Sequence, residues 1–487
     1  MIRNASVAAL LAVIFPTSAA PAQEVVELPA QDRALEADFV EVYSVAMPKS
    51  DDPEPESPFG DFADFTKELQ LAFNSAGELL VFEKGLRPQT GRIVVFGVDG
   101  AVAREFGRMG WERGDFRAPV NFGVLSDGRS VVKDREHSAF LVYAPDGAYE
   151  RMVRFPRPSG GMLTGMVPGL AGLAERVAAG RDGAFVYRTV LSDMDMDIDE
   201  QTFSVQTLNT GPTGIVERVG LEGNRVTVDT ALRAWRPSEG EATSIGVQMN
   251  PDITQLSEEE MAFADMSSLL SMDRAQTAWL FPPPFAFGVL PDNGLAYIDS
   301  TTWEVKLVDA DGRLNRIVRR PLTPTPVTEE MRAEIGTRIR EAQSAALDGI
   351  EELMPSDAAA VMDGLLAGLT DQVNPEFFPE VPVLSGLGVG WDGALWVVRT
   401  GDPLSMFESE SDLDATIIPG GIGGLSAPAG GPIDIVGADD TYAGTLPAGT
   451  KLPDAFGPDG LAAWVTIDAD LSKTIVVRRI PAALRLP

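Results

Sequence analysis

Acidic side chains dominate the chemistry open to this chain. Asp193, Asp195, Asp197, Asp199 and Glu200 recur at a period of two in "SDMDMDIDE", the spacing with which many calcium loops begin. The remainder of such a loop is missing. Ile198 stands where the sixth-position Gly belongs, and Ser204 where the twelfth-position Glu belongs, so the run is not an EF-hand. Four like charges on one strand face repel one another. The run therefore reads as a loop, either solvated or collecting Ca²⁺ together with carbonyl oxygens. His137 is the single imidazole, with Asp134, Glu136 and Ser138 close by in sequence. A nucleophile–base–acid set needs convergence in space, which sequence neighbours do not supply. An exposed or capping loop histidine is the ordinary reading. "GGIGG" (420–424) precedes no helix start and is not a phosphate loop. No catalytic set emerges, and Ca²⁺ is the one cofactor the residues leave open.

Composition removes whole classes of function. The 487 residues include no Cys and one His, which excludes disulfides, thiolate metal sites, cysteine nucleophiles and multi-histidine centres. Lys and Arg number 39 against 72 Asp and Glu, a formal charge of −33. Nucleic acids and anionic lipids are bound through clustered cations, so neither is a partner suited to this chain. With 44% hydrophobic residues the chain can bury a large core.

The elements that must position any site are read from the turns. A small-residue turn followed by a dense β run occurs six times: at Ser75-Ala76-Gly77, Asp127-Gly128, Asp182-Gly183, Asn293-Gly294, Asp392-Gly393 and Asp459-Gly460. Asp-Gly and Asn-Gly supply the positive φ that tight hairpins need. A second turn follows most of these, at Asp99-Gly100, Asp146-Gly147, Asn209-Thr210-Gly211 (after "FSVQTL"), Asp311-Gly312 and Asp439-Asp440. Up to four strands per unit, six times over, predicts an all-β, six-bladed β-propeller. The sixth unit is short, and "FVEVYSVA" (39–46) alternates like a strand. Pairing it with the last unit closes the ring and removes an open sheet edge. Three interruptions are expected. Residues 221–280 read as irregular and partly helical, with a helix start at "QLSEEEMAF". Residues 326–374 read as a helical hairpin, with Met331, Ile335, Ile339, Ala342, Ala346 and Ile350 on one face and Val361, Leu365, Leu369 and Val373 on the other arm. Its apolar stripe reads as core against the propeller. Residues 405–431 read as a long mobile loop.

Alignment of the units by their first turn gives a column at the end of the second strand: Glu83, Asp134, Thr189, Asp299, Arg399 and Thr466. These positions lie on the face opposite the Asp-Gly turns, where the varied loops gather. The carboxylates could meet a cation there and Arg399 an anion; Asn121 joins them as a candidate at the channel mouth. Residues of these types also cap strands and bond neighbouring loops, and both readings stand.

The stretches "FGRMGWERGDFRAP" (106–119) and "VLSDGRSVVKDREHSAFLVYAPDG" (124–147) resemble the NHL-repeat type of six-bladed propeller. The matching positions are Phe106-Gly107, Gly114-Asp115-Phe116, Pro119, Asp127-Gly128, Asp134 and Asp146-Gly147. The match covers one and a half units and weakens in units three, five and six. With its helical insertion, the chain most resembles secreted bacterial six-bladed propellers of unassigned role. The resemblance implies the fold, and binding or scaffolding only loosely, because propellers host many functions.

The first 22 residues have the form of a secretory signal peptide: Arg3, an eleven-residue apolar run over 5–15, and Ala20-Pro21-Ala22 as a cleavage site. Residues 23–487 then form the propeller, exported to the periplasm or the medium, monomeric, and without a transmembrane segment. The favoured function is non-catalytic binding or scaffolding of a protein or small-molecule ligand by the varied-loop face. The alternative is a Ca²⁺-dependent, lactonase-like hydrolase, or another six-bladed enzyme, with its site at the channel mouth.

Overall fold

The computed structural model describes residues 23–36, 38–46, 68–84, 91–155, 177–181, 185–191, 197–198, 204–209, 212–235, 244–249, 270–273, 279–339, 376–404, 430–467 and 473–485. Six antiparallel four-stranded blades make up the body. Blade one comprises Glu68–Phe73, Leu79–Lys84, Gly91–Phe96 and Val102–Phe106. Blade two comprises Pro119–Val124, Ser130–Asp134, Ala139–Tyr143 and Tyr149–Arg154. Blade three comprises Val177–Ala179, Phe185–Leu191, Pro212–Gly220 and Thr227–Arg233. Blade four comprises Ala286–Val289, Leu295–Ile298, Glu304–Val308 and Leu314–Arg319. Blade five comprises Leu384–Val389, Leu395–Arg399, Ile433–Val436 and Tyr442–Leu446. Blade six has Ala455–Phe456, Leu461–Ile467 and Lys473–Arg479, with Val40–Ala46 as its outermost strand. That strand runs antiparallel to Lys473–Arg479, with Val40 opposite Arg479 and Val45 opposite Ile475. The N-terminal strand closes the ring, as its alternation predicts.

The core is divided by junction rather than by blade. Because successive side chains of a strand point to opposite faces, each blade feeds two cores. Leu79 and Val81 pack toward blade six, whereas Leu80 and Phe82 pack toward blade two. One buried cluster fills each of the six junctions, including that between blades six and one. Glycines on the innermost strands let neighbouring blades close in: a Cβ on Gly288 would lie 2.3 Å from Val389 Cγ2.

The turns are built as their composition requires. Asp99, Asp127, Asp146, Asp392 and Asp439 each accept the amide two residues on through Oδ1, which preforms the turn. The NHL-like residues have a packing role. Gly107 takes φ +74°, and its missing side chain seats the Phe116 ring, which a Cβ would approach to 2.4 Å. Phe116 itself is fully buried, a burial that contributes about 1.5–3 kcal/mol.

Three expectations differ from the structure. "FSVQTL" does not supply the third strand of blade three; Pro212–Gly220 does, paired with Phe185–Leu191. Ser204–Asn209 instead belongs to a separate four-stranded sheet, in the order Asp197–Ile198, Ser204–Asn209, Ser244–Met249, Leu270–Asp273. A strand pattern is local, whereas the sheet it joins is not. The described part of 221–280 is not irregular chain: it holds Thr227–Arg233, Ser244–Met249, Leu270–Asp273 and Trp279–Leu280 as strands, while the stretch expected to be helical lies outside the described residues. Asp197 stands on a strand rather than in a loop. Of the helical hairpin, residues 329–339 are described and helical. Thr328 caps them, its Oγ1 accepting the Met331 amide at 3.2 Å. Ile335 and Ile339 are buried with Leu280, Phe281, Phe378 and Val381, so this part of the stripe is core. Residues 340–374, "QLSEEEMAF", residues 405–429, the 1–22 segment and the Asp182-Gly183 turn lie outside the described residues.

The chain preceding residue 40 carries a feature absent from the sequence reading. Glu24–Glu27 adds a fifth, parallel strand to blade four, against Leu314–Arg319. The chain then crosses blade five, where the Leu35 amide donates to Thr445 O at 2.9 Å and the Thr445 amide to Arg33 O at 2.7 Å. One N-terminal arm thus fastens blades four, five and six.

Candidate functional site

Antiparallel order sends the turns after first and third strands to one side, the turn face. Second strands end, and blade crossings run, on the other, the loop face. The inserted sheet, the module around the helix and the crossings all leave the ring there.

The expected rim residues are engaged at home. Glu83 accepts Arg92 Nε at 2.9 Å, and Arg92 also reaches Glu105. Asp134 is fully buried. Its Oδ2 accepts the amides of Arg117 (2.7 Å) and Ala118 (3.1 Å), and its Oδ1 that of His137 (3.0 Å). His137 Nδ1 lies 3.1 Å from the same Oδ1 but without hydrogen-bond alignment. With no aligned bond from Nδ1 to the carboxylate, the imidazole is a loop side chain rather than a base poised by an acid. Asp299 accepts the Trp235 amide at 2.8 Å and Lys306 Nζ at 2.7 Å, tying the crossing from blade three to blade four. Asn121 meets a neighbour: Gln70 Nε2 donates to its Oδ1 at 3.4 Å and to Val120 O at 3.2 Å, while Gln70 Oε1 accepts the Phe122 amide at 2.9 Å. Asn121 Nδ2 is buried and has no hydrogen-bond acceptor among the described residues. The structure therefore joins Asn121 to Gln70 but leaves Glu83, Asp134, Asp299 and Arg399 in separate networks. Among the described residues no three His, Asp or Glu side chains are grouped to hold a metal ion. Asp193, Asp195 and Asp199 lie outside those residues.

Arg399 leads to the densest polar cluster described. Asp434 and Arg320 are both 0% exposed at the side chain. Asp434 Oδ1 accepts Arg320 Nη1 (2.9 Å), Arg399 Nη2 (2.8 Å) and Thr445 Oγ1 (2.6 Å). Its Oδ2 accepts Trp303 Nε1 (2.7 Å) and Arg399 Nε (2.9 Å). Arg320 spends its other donors on the arm: Nε on Pro29 O, Nη2 on Gln31 O and on Asp32 Oδ1. Its guanidinium carbon sits 4.4 Å above the Tyr442 ring. Arg399 pairs with Asp32 as well. Two arginines and two aspartates balance in charge, and hydrogen bonds offset their desolvation. Burial alone would lower the Arg399 pKa, but bonds to Asp32 and Asp434 outweigh it and raise it. Arg399 in turn holds the Asp32 carboxyl below its ordinary value. The chemistry of this cluster is attachment: its donors and acceptors are spent on the arm and on blades four and five. Sequence reasoning missed Asp434, Arg320 and Trp303. The available signal was Asp434 itself, a carboxylate inside the apolar strand "IDIV" (433–436).

The loop face also carries an exposed anchor. Trp111, on the crossing from blade one to blade two, is 80% exposed. Arg117 stacks on it at 4.6 Å and pairs with Glu136 at 3.5 Å.

No protein-family model matches the chain, and no curated protein matches it in sequence. Several solved structures are similar to it at low identity. A DUF4221-family member from Bacteroides vulgatus has a TM-score of 0.43 at 10% identity, covering 92% of this chain and 98% of that one. Virginiamycin B lyase from Staphylococcus aureus has a TM-score of 0.34 at 8% identity, covering 91% and 99%. The Cps50 β-propeller domain from Myceliophteria thermophila has a TM-score of 0.33 at 8% identity, covering 91% and 100%. At this distance the likenesses carry no function to this chain.

Proposed function

We propose that this chain is an exported, non-catalytic binding or scaffold propeller that engages its partner with the loop face. The supporting observation is the asymmetry of the ring. The inserted sheet, the helical module and the exposed Trp111 all belong to the loop face, while the charged rim residues there are consumed by internal bonds. Loops raised on a rigid scaffold are where recognition concentrates. A clustered catalytic set has no such support. The NHL-like spacing of blade two agrees with a recognition propeller, and no helix among the described residues is long and apolar enough to cross a membrane.

Photo-crosslinking in the native envelope tests this. A benzophenone amino acid at Trp111 is expected to capture a discrete adduct. The same probe at Val98, exposed on the turn face, is expected to capture none. Equal labelling at both positions, or at neither, would overturn the loop-face reading. A calorimetric titration with Ca²⁺ separates the hydrolase alternative: saturable heat with a thermal shift would favour it.

A further inference from the structure

On the turn face, between blades five and six, lies a cavity of about 320 Å³ whose wall includes Trp391, Phe456, Ile480, Leu484, Asp392, Asp459 and Arg485. Its lining also includes Trp396, whose ring lies 6.2 Å from that of Phe39 on the arm. Its size falls at the small end of ligand sites, which are mostly apolar with a few placed polar groups.

Arg485 is the notable group. Its Nη1 donates to Asp459 O at 3.0 Å. Its Nε is buried without a hydrogen-bond partner. No ion pair links it to a carboxylate of the described residues, although this chain has 72 acidic side chains. The stem runs close over Gly460, where an added Cβ would lie 2.5 Å from Arg485 Cδ.

The acids are displaced from it. Asp459 takes φ +54°, and its carbonyl is fixed by Arg479 Nη1 at 2.8 Å as well as by Arg485. Its carboxylate is exposed at the rim and carries no ion pair among the described residues. Asp392 spends Oδ1 on the Ala394 amide at 3.2 Å and is likewise exposed without an ion pair among the described residues. Trp391 lines the same cavity, and the guanidinium carbon of Arg181 from blade three lies 4.4 Å from its ring centroid. A cation–π contact of this kind holds the ring plane.

One cavity thus presents an aromatic and aliphatic wall, a guanidinium short of a carboxylate, and two carboxylates short of a cation. A plain anion would meet the rim carboxylates, and a plain cation would meet Arg485. We propose that this cavity binds a zwitterionic ligand of amino-acid size with an aromatic or bulky apolar side chain. The ligand's carboxylate meets Arg485, its ammonium meets Asp392 and Asp459, and its side chain packs on Trp391 and Phe456.

Calorimetry on the full mature chain tests the assignment with L-phenylalanine and L-tryptophan as probes. Saturable binding is expected. Affinity is expected to fall about tenfold or more for phenylacetate, which lacks the ammonium, and for phenethylamine, which lacks the carboxylate. L-alanine, which lacks the ring, is expected to fall likewise. Arg485→Gln and Trp391→Ala should each lose about tenfold or more while their circular dichroism and melting stay cooperative. Three results would overturn the proposal: no heat and no thermal shift with either amino acid at millimolar concentration; phenylacetate or phenethylamine binding as tightly as phenylalanine; or both variants, folded, binding with unchanged affinity.

Discussion

Two junctions of the ring use arginine and aspartate in opposite ways. Between blades four and five, Arg320, Arg399, Asp434 and Asp32 are packed until the charges match and the Asp434 carboxylate is saturated. Between blades five and six, Arg485 lines a cavity together with Asp392 and Asp459 but is paired with neither. The fold is the same on both sides of blade five, so architecture does not set the difference. Saturated charge joins parts of the chain, and unsaturated charge around a cavity is left for something else to complete.

The comparison breaks most visibly at Asp434. Asp434→Ala leaves Arg320 and Arg399 without the buried one of their two counterions, at a cost of about 3–5 kcal/mol, read as a fall in the urea midpoint. A loss under about 1 kcal/mol would mean that the arginines are not held by this carboxylate.

Gly444 is the next point of attack. It takes φ +144°, and a Cβ there would lie 2.4 Å from Arg33 O, so side-chain bulk collides with the arm where it crosses blade five. Gly444→Val is expected to cost about 1–3 kcal/mol and to open residues 23–36 to limited proteolysis. An arm that stays protected in that variant would show that blade five is not what holds it.

Asp32 gives a smaller, pH-dependent effect. Its folded pKa lies below the ordinary 3.8 because of Arg399 and Arg320. Its contribution is therefore present above the unfolded pKa and is lost as pH falls through the folded pKa. Its side chain is 49% exposed, so solvent screens the pair and Asp32→Asn should cost about 0.5–1 kcal/mol at pH 7. Once the pH is well below the folded pKa, the variant and the parent should melt alike. A difference that persists in acid would mean the loss is not electrostatic.

The smallest effect on folding belongs to the other junction. Arg485→Gln removes a charge that pairs with no described carboxylate, so unfolding free energy should move by about 0.5 kcal/mol or less. A loss of several kcal/mol would make Arg485 a structural group like Arg320 and erase the contrast.

Legibility in the sequence followed range. Asp-Gly and Asn-Gly turns are local chemistry, so six units could be counted from Asp127-Gly128, Asn293-Gly294 and their equivalents. Closure by Val40–Ala46 was legible because an alternating strand with no local partner meets a unit short of one. "FSVQTL" misled for the same reason that the others succeeded: its pattern marks a strand but says nothing of the sheet it joins. Strand ends are countable, so the sequence puts Glu83, Asp134 and Arg399 at the ends of second strands, where they stand. What each one bonds was not legible, because the partners of Asp299 and Arg399 come from remote segments, such as Trp235 and Asp32.

Sequence alone determined the mostly-β class, the number of modules and the absence of thiol and multi-histidine chemistry, all of which rest on residue type and short-range turn preference. Tertiary structure alone decided which charges are spent and which are left over. Asp32 and Asp434 stand 402 positions apart yet serve the same pair of arginines, and Arg485 becomes a cavity wall only when blade six settles against blade five. Electrostatic complementarity depends on distances in space, and chain order does not encode those until the ring has closed.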